Sequence, residues 1–263
     1  MIQNLKTARI LWTIPEILAF TAALGGLVFK GIYTNLFQSD YLPGAVAQDI
    51  ITILISIFLI ILIFNTEETD IKKQVVIVGL LGSQFYLYGI FAIERVYNAF
   101  YLVYLGIFAT SFWAVIYTLS GFRTRNFTNL RLNEAMLRTT AISSLLIAAA
   151  FMFLWTMSLL PLMQNHNRIE FLYSIYILDL CFVMPAFIIT AVMSLRKMPF
   201  GILMAPAIMI LGFFVIFPLG LNELAKPAFG MAVDYGSMAF SFAFSVFMLV
   251  VAYLQLRLIH FDK

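Results

Sequence analysis

Residues 84–104 read QFYLYGIFAIERVYNAFYLVY, and the way this stretch is divided decides the fold. Apolar runs extend on both sides of Glu94 and Arg95. Read as a tight helical hairpin, the stretch ends a third membrane span and begins a fourth, so the chain has eight spans. Read as one continuous helix, it leaves seven and spoils the charge asymmetry of every loop downstream. The stretch also holds Tyr86, Tyr88, Tyr97, Tyr101 and Tyr104, five of the chain's 12 tyrosines, together with Gln84 and Asn98. Such a polar and aromatic concentration in an apolar chain needs a cause.

The 263 residues are 63% hydrophobic and only 11% charged, with a mean hydropathy of +0.98. A soluble domain carries about 25% charged residues, because water must solvate its surface. Runs of about 20 apolar residues, enough to cross roughly 30 Å of hydrocarbon, recur along the whole chain. The composition therefore predicts an all-α, polytopic integral membrane bundle forming a single transmembrane domain over 1–263. Its spans are read near 8–29, 47–65, 74–94, 98–121, 138–160, 172–195, 200–221 and 236–259. The first run is too long, and followed by too many like it, to read as a cleaved signal peptide. No loop is long enough for a soluble domain.

Lysines and arginines set the orientation. With a cytoplasmic N-terminus, the inner segments hold Lys6, Arg9, Lys72, Lys73, Arg123, Arg125, Arg131, Arg138, Arg196, Lys197, Arg257 and Lys263, while the outer ones hold Lys30, Arg95, Arg168 and Lys226. The positive-inside rule then places both termini in the cytoplasm. Trp12 and Trp155 fall near span ends, where indoles favour the headgroup level, and Trp113 falls mid-span, where packing inside the bundle is expected. Of the outer loops, 30–46 is amphipathic enough to lie on the bundle as a cap, and 222–235 carries Glu223, Lys226 and Asp234. The basic segment 123–138 supplies orientation charge.

A carboxylate within a span costs several kcal/mol unless it faces a partner or a water-filled cavity. Glu16, Asp49, Glu94 and Asp179 meet that description, three of them in the outer half. Glu94 and Arg95 read as interface charges at the hairpin turn, with Tyr97 beside them. Gln84, Tyr88 and Arg95 share one helical face of the third span, and Tyr97, Tyr101 and Tyr104 one face of the fourth, with Asn98 alongside. Asp49, Thr52 and Ser56 fall within a narrow arc of the second span, and Tyr176 and Asp179 lie one turn apart in the sixth. These faces are expected to converge on a polar, aromatic pocket opening outward. Pro15, Pro185, Pro206 and Pro218 lie within spans and can kink them. Spans two and six share a direction and each carries an outer acid, the pattern a four-plus-four parallel repeat would give.

Several chemistries are excluded. The lone Cys181 allows neither an internal disulfide nor a CxxC redox pair. His166 and His260 both lie outside the spans, so no bis-histidine haem site exists. No lysine lies mid-span for a retinal Schiff base, and neither a His-Glu-x-x-His nor a Gly-x-Ser-x-Gly motif occurs. Glu94-Arg95-Val96-Tyr97 looks like the acidic-Arg-Tyr signature of G-protein-coupled receptors, but the charge asymmetry puts it outside, where that motif cannot work. The basic residues form no patch that would take nucleic acid.

The residues expected to hold a ligand are Asp49, Gln84, Tyr88, Asn98, Tyr101, Tyr104, Tyr176 and Asp179. No residue is assigned a catalytic role, and neither a cofactor nor a metal is predicted. The leading function is binding or transport of a small molecule, cation or lipid by a multi-pass protein of the plasma membrane. A second reading is a non-catalytic subunit, including a permease subunit, that scaffolds a larger complex. A third is a lipid-modifying enzyme, although neither Asp179 nor Asp49 has an evident nucleophile or metal beside it. Expected partners are membrane lipid, a small-molecule or cation ligand, and a second copy or a partner membrane subunit.

Overall fold

Each apolar run folds as a helix, which pairs its backbone N–H and C=O groups within the segment. The structure, a computed structural model, describes residues 4–29, 31–34, 36, 39–122, 130–167, 169 and 172–261. Lys30, Arg123, Arg125, Arg168 and Lys263 lie outside the described residues, as does the 123–129 part of the basic loop. The helices are α1 (Leu5–Val28), α2 (Leu42–Phe64), α3 (Ile71–Ile93), α4 (Tyr101–Gly121), α5 (Glu134–Gln164), α6 (Tyr173–Leu195), α7 (Pro199–Ala225) and α8 (Tyr235–Leu258). All eight are long and apolar enough to cross a membrane. Local signals set several ends. Asn4, Asn133 and Asp234 cap α1, α5 and α8 with their side chains, and Pro43 and Pro199 open α2 and α7.

The bundle divides into halves of four. α1 packs on α2 and α4, and α3 packs on α4; in the other half α5, α6, α7 and α8 pack in succession. α7 then joins the halves by running along α2 and α3. At Gly79 a Cβ would stand 2.8 Å from the Ala207 carbonyl oxygen, so α3 and α7 touch almost backbone to backbone. Leu59, Ile63, Ile77, Leu81, Leu178, Phe187 and Met209 fill the core that this contact closes.

Successive helices alternate the loops between the two ends of the bundle. Arg9 donates to the Thr66 carbonyl, Lys197 pairs with Glu134, and the short strands β1 (Leu130–Arg131) and β2 (His260–Phe261) pair, all at the end carrying the N-terminus. Lys6, Arg9, Lys72, Lys73, Arg138, Arg196, Lys197 and Arg257 belong to that end, and Arg95 and Lys226 to the other.

Several expectations need correction. Trp113 is 63% exposed on the outer face of α4 rather than packed inside. Trp12 is fully buried, its indole N–H donating to the Thr118 hydroxyl at 2.7 Å, so it is a core residue and no headgroup anchor. α4 begins at Tyr101, leaving Tyr97 and Asn98 in the turn, and α3 ends at Ile93. Arg95, with φ 58°, is therefore off the Gln84–Tyr88 face; its guanidinium stands 6.0 Å from the Tyr173 ring centre. Glu94 is no interface charge either. It is buried and accepts from the Ser174 backbone N–H at 2.8 Å, binding the α3–α4 hairpin to the first turn of α6.

Candidate functional site

A cleft of about 630 Å³ enters the bundle from the end bearing Arg95 and Lys226. α2, α3, α5, α6, α7 and α8 all contribute to its walls. Its depth is apolar, lined by Ile147, Phe151, Met184, Phe187, Ile216 and Met248, while Asp40, Glu94, Asn222 and Lys226 stand nearer the mouth. Lys226 is held by Glu223 at 2.6 Å, which leaves acids as the uncompensated charges of the lining.

Asp179 is the deepest of those acids. Trp155 of α5 donates its indole N–H to Asp179 Oδ2 at 2.7 Å, the Tyr86 hydroxyl of α3 lies beside the same carboxylate, and Asp179 Oδ1 has no hydrogen-bond partner. The backbone there is a π-turn, Asp179–Val183, in which the Met184 N–H reaches back to the Asp179 carbonyl. Pro185 follows directly and supplies no N–H, so the regular ladder cannot run through this point. The widened turn carries Asp179 onto the cleft wall. Tyr176, one turn earlier, sets its ring against Trp155 edge to face at 5.1 Å and so holds the donor rather than the cleft.

Asp49 lies elsewhere. A directed chain of donors ends on it: Asn98 gives to the Tyr104 hydroxyl at 2.9 Å, the Tyr104 and Tyr33 hydroxyls stand 3.5 Å apart, and Tyr33 gives to Asp49 Oδ2 at 2.9 Å. Gly26 of α1 makes room, since a Cβ there would fall 2.0 Å from Asp49 Oδ2. Deeper in the same half, Gln84 Nε2 donates to Glu16 Oε2 at 2.9 Å and to Ser56 Oγ at 3.2 Å, and the Tyr88 hydroxyl donates to the Ala19 carbonyl. Glu16, Asp49, Thr52, Ser56, Gln84, Tyr88 and Tyr104 are all buried between α1, α2, α3 and α4.

The expected site residues therefore separate into two groups rather than meeting in one pocket, and only Asp179 lines the cleft. Helix geometry is the reason. Tyr86 and Tyr88 are two residues apart, about 200° around α3, so one faces Asp179 and the other α1. Adjacent residues of α2 divide likewise: Gln48 lines the cleft and donates to the Leu87 carbonyl at 2.8 Å, while Asp49 turns to Gly26. Tyr101 gives its hydroxyl to the Ala92 carbonyl at 3.0 Å and fastens the hairpin.

Trp155 and Tyr86 as partners of Asp179, Glu16 as the partner of Gln84, and Tyr33 as the donor to Asp49 are not among the sequence-based expectations. A buried acid demands donors, which is a signal for the first two. Nothing in an outer-loop tyrosine shows that it folds back between helices. Among the described residues no group of three or more His, Cys, Asp or Glu side chains converges as a metal site. The chain matches no known family, no curated protein and no solved structure.

Proposed function

We propose that this protein crosses the plasma membrane eight times with both termini in the cytoplasm, and that its cleft takes up and transports an amphiphilic cation from the outer side. The orientation rests on the positive-inside rule, applied to the basic end that carries the N-terminus. The observation that carries the ligand class is Asp179: a buried carboxylate on the wall of an apolar cleft, with aromatic neighbours and one oxygen unpartnered. A positive centre satisfies that oxygen and the faces of nearby rings together. An apolar body fills the depth between Phe151, Phe187 and Met248.

The test is equilibrium binding of radiolabelled tetraphenylphosphonium to the protein in lipid nanodiscs, with a long-chain alkyl sulfate as the opposite-charge control. Saturable binding is expected, and Asp179→Asn is expected to weaken it by about tenfold or more, roughly 1.4 kcal/mol. That variant keeps an oxygen for the Trp155 N–H, so its unfolding temperature should stay close to wild type. Undiminished binding in Asp179→Asn sinks the proposal. Uptake of the same cation into proteoliposomes then separates transport from binding alone.

A further inference from the structure

The other half of the bundle holds a feature that the cleft does not use. Glu16 is fully buried between α1, α2 and α3, and among the described residues no lysine or arginine forms an ion pair with it. Arg9, two turns earlier on α1, is directed to the Thr66 carbonyl instead. The Gln84 amide donates to Oε2 of the carboxylate and the Ser56 hydroxyl stands beside it, while Oε1 makes no hydrogen bond among the described residues. Gln84 Oε1 is also buried and makes no hydrogen bond among the described residues, and neither does Thr52 Oγ1, although the Tyr88 hydroxyl lies beside it. Thr52 and Ser56 stand one turn apart on the same face of α2, and Gln84 touches both Glu16 and Ser56.

One unpartnered oxygen on the carboxylate, a second on the Gln84 amide that touches it and a third on Thr52, one turn along α2 from Ser56, make an unusual concentration. An isolated buried polar atom costs a few kcal/mol, and an uncompensated buried charge more. Water satisfies hydroxyl and amide oxygens but cannot neutralise a carboxylate. A hard cation does both, because it is held by oxygen ligands of this kind. With a single carboxylate in the group, a monovalent ion leaves it neutral, whereas a divalent ion leaves a net positive charge in an apolar interior. Asp49, one turn from Thr52 and two from Ser56 along α2, is counted outside the group because its carboxylate takes the Tyr33 hydroxyl and faces Gly26 of α1.

We propose that Glu16, Thr52, Ser56 and Gln84 form a binding site for a small monovalent cation, with sodium as the ion to test. The site is separate from the cleft and does not depend on its ligand. It stands where an ion bound between α1, α2 and α3 clamps the helices whose opposite faces, through Gln48 and Tyr86, line the cleft.

The experiment measures thermal unfolding of the purified full chain in detergent, at one pH and one ionic strength, as NaCl replaces choline chloride. Potassium and lithium chlorides are run as size controls, and 22Na binding is measured on the same samples. A saturable rise in unfolding temperature with sodium, matched by saturable 22Na binding, is expected. Glu16→Gln should abolish both, and Ser56→Ala should weaken sodium binding several-fold with little loss of stability in choline. Asp179→Asn should leave both effects intact, which distinguishes this site from the cleft. If Glu16→Gln does not fold, Ser56→Ala and Thr52→Val decide the matter through 22Na binding alone. Equal stability in sodium and choline overturns the proposal, as does sodium binding that persists in all three variants. In a second series at falling pH, stabilisation by acid with no dependence on cation overturns it in favour of a protonated Glu16.

Discussion

Trp155 and Asp179 are joined across 2.7 Å by the indole N–H, and this bond fastens α5 to the π-turn of α6 at the cleft wall. α5 otherwise shows most of its surface outward. At the cleft wall this polar contact adds to the apolar packing of α5 on α6. Replacing Trp155 by Phe keeps the ring against Tyr176 but removes the donor from a buried carboxylate. The expected cost is about 1–3 kcal/mol in unfolding free energy, measured by denaturant titration in detergent micelles. A combined Trp155→Phe and Asp179→Asn variant should lose less than the sum of the single changes, because the two residues share one interaction.

Gly26→Ala probes the Asp49 group. The added methyl would fall 2.0 Å from Asp49 Oδ2 and 2.6 Å from the Tyr33 hydroxyl, so the carboxylate and the tyrosine must separate. Overpacking of this kind costs about 1–3 kcal/mol. The unfolding temperature is expected to fall, while Asp179-dependent binding in the cleft persists. An unchanged temperature would show that Asp49 moves freely.

Glu94 ties the α3–α4 hairpin to α6 through the Ser174 N–H, with the Tyr173 hydroxyl reaching the Ile93 carbonyl from the same turn. Glu94→Ala removes the acceptor at a helix start and should cost about 0.5–2 kcal/mol. Hydrogen exchange should quicken in the first turn of α6 before it changes in α7.

Two helix-start acids outside the bundle interior report on pH. The Ser237 hydroxyl, then its backbone N–H, holds the Asp234 carboxyl below the usual carboxylate range, and Lys73 does the same for Asp70. A depressed folded-state pKa contributes stability that is present above the ordinary carboxylate range and is lost as pH falls through the folded value. Ser237→Ala is therefore expected to move the Asp234 titration upward, read by carboxyl-carbon NMR, and to reduce the loss of stability on acidification. A titration that does not move would show that the bond is absent in solution.

The extent of what could be read directly varies by residue. The hairpin at Glu94-Arg95 was legible because charge cannot sit mid-span, and the observed helix ends fall within about five residues of those read from hydropathy. The burial of Asp49, Thr52 and Ser56 on one arc of α2 was legible from spacing. Facing was not. Where lipid rather than water is the surroundings, the outer face of a helix is as apolar as the inner one, so periodicity no longer marks the core. Trp113, expected inside the bundle, faces outward, and Trp12, expected at headgroup level near a span end, is buried in the core.

Composition and loop charge alone thus determined eight apolar helices, their ends and the asymmetry between the two ends of the bundle, since each follows from the cost of moving charge and backbone into hydrocarbon. Only the tertiary structure decided that Tyr86 and Tyr88 belong to different sites, that Pro185 follows a π-turn carrying Asp179 into the cleft, and that the loop residue Tyr33 reaches Asp49. Those outcomes depend on which helix packs on which, and side chains within one apolar bundle carry that choice through contacts between residues far apart in the chain.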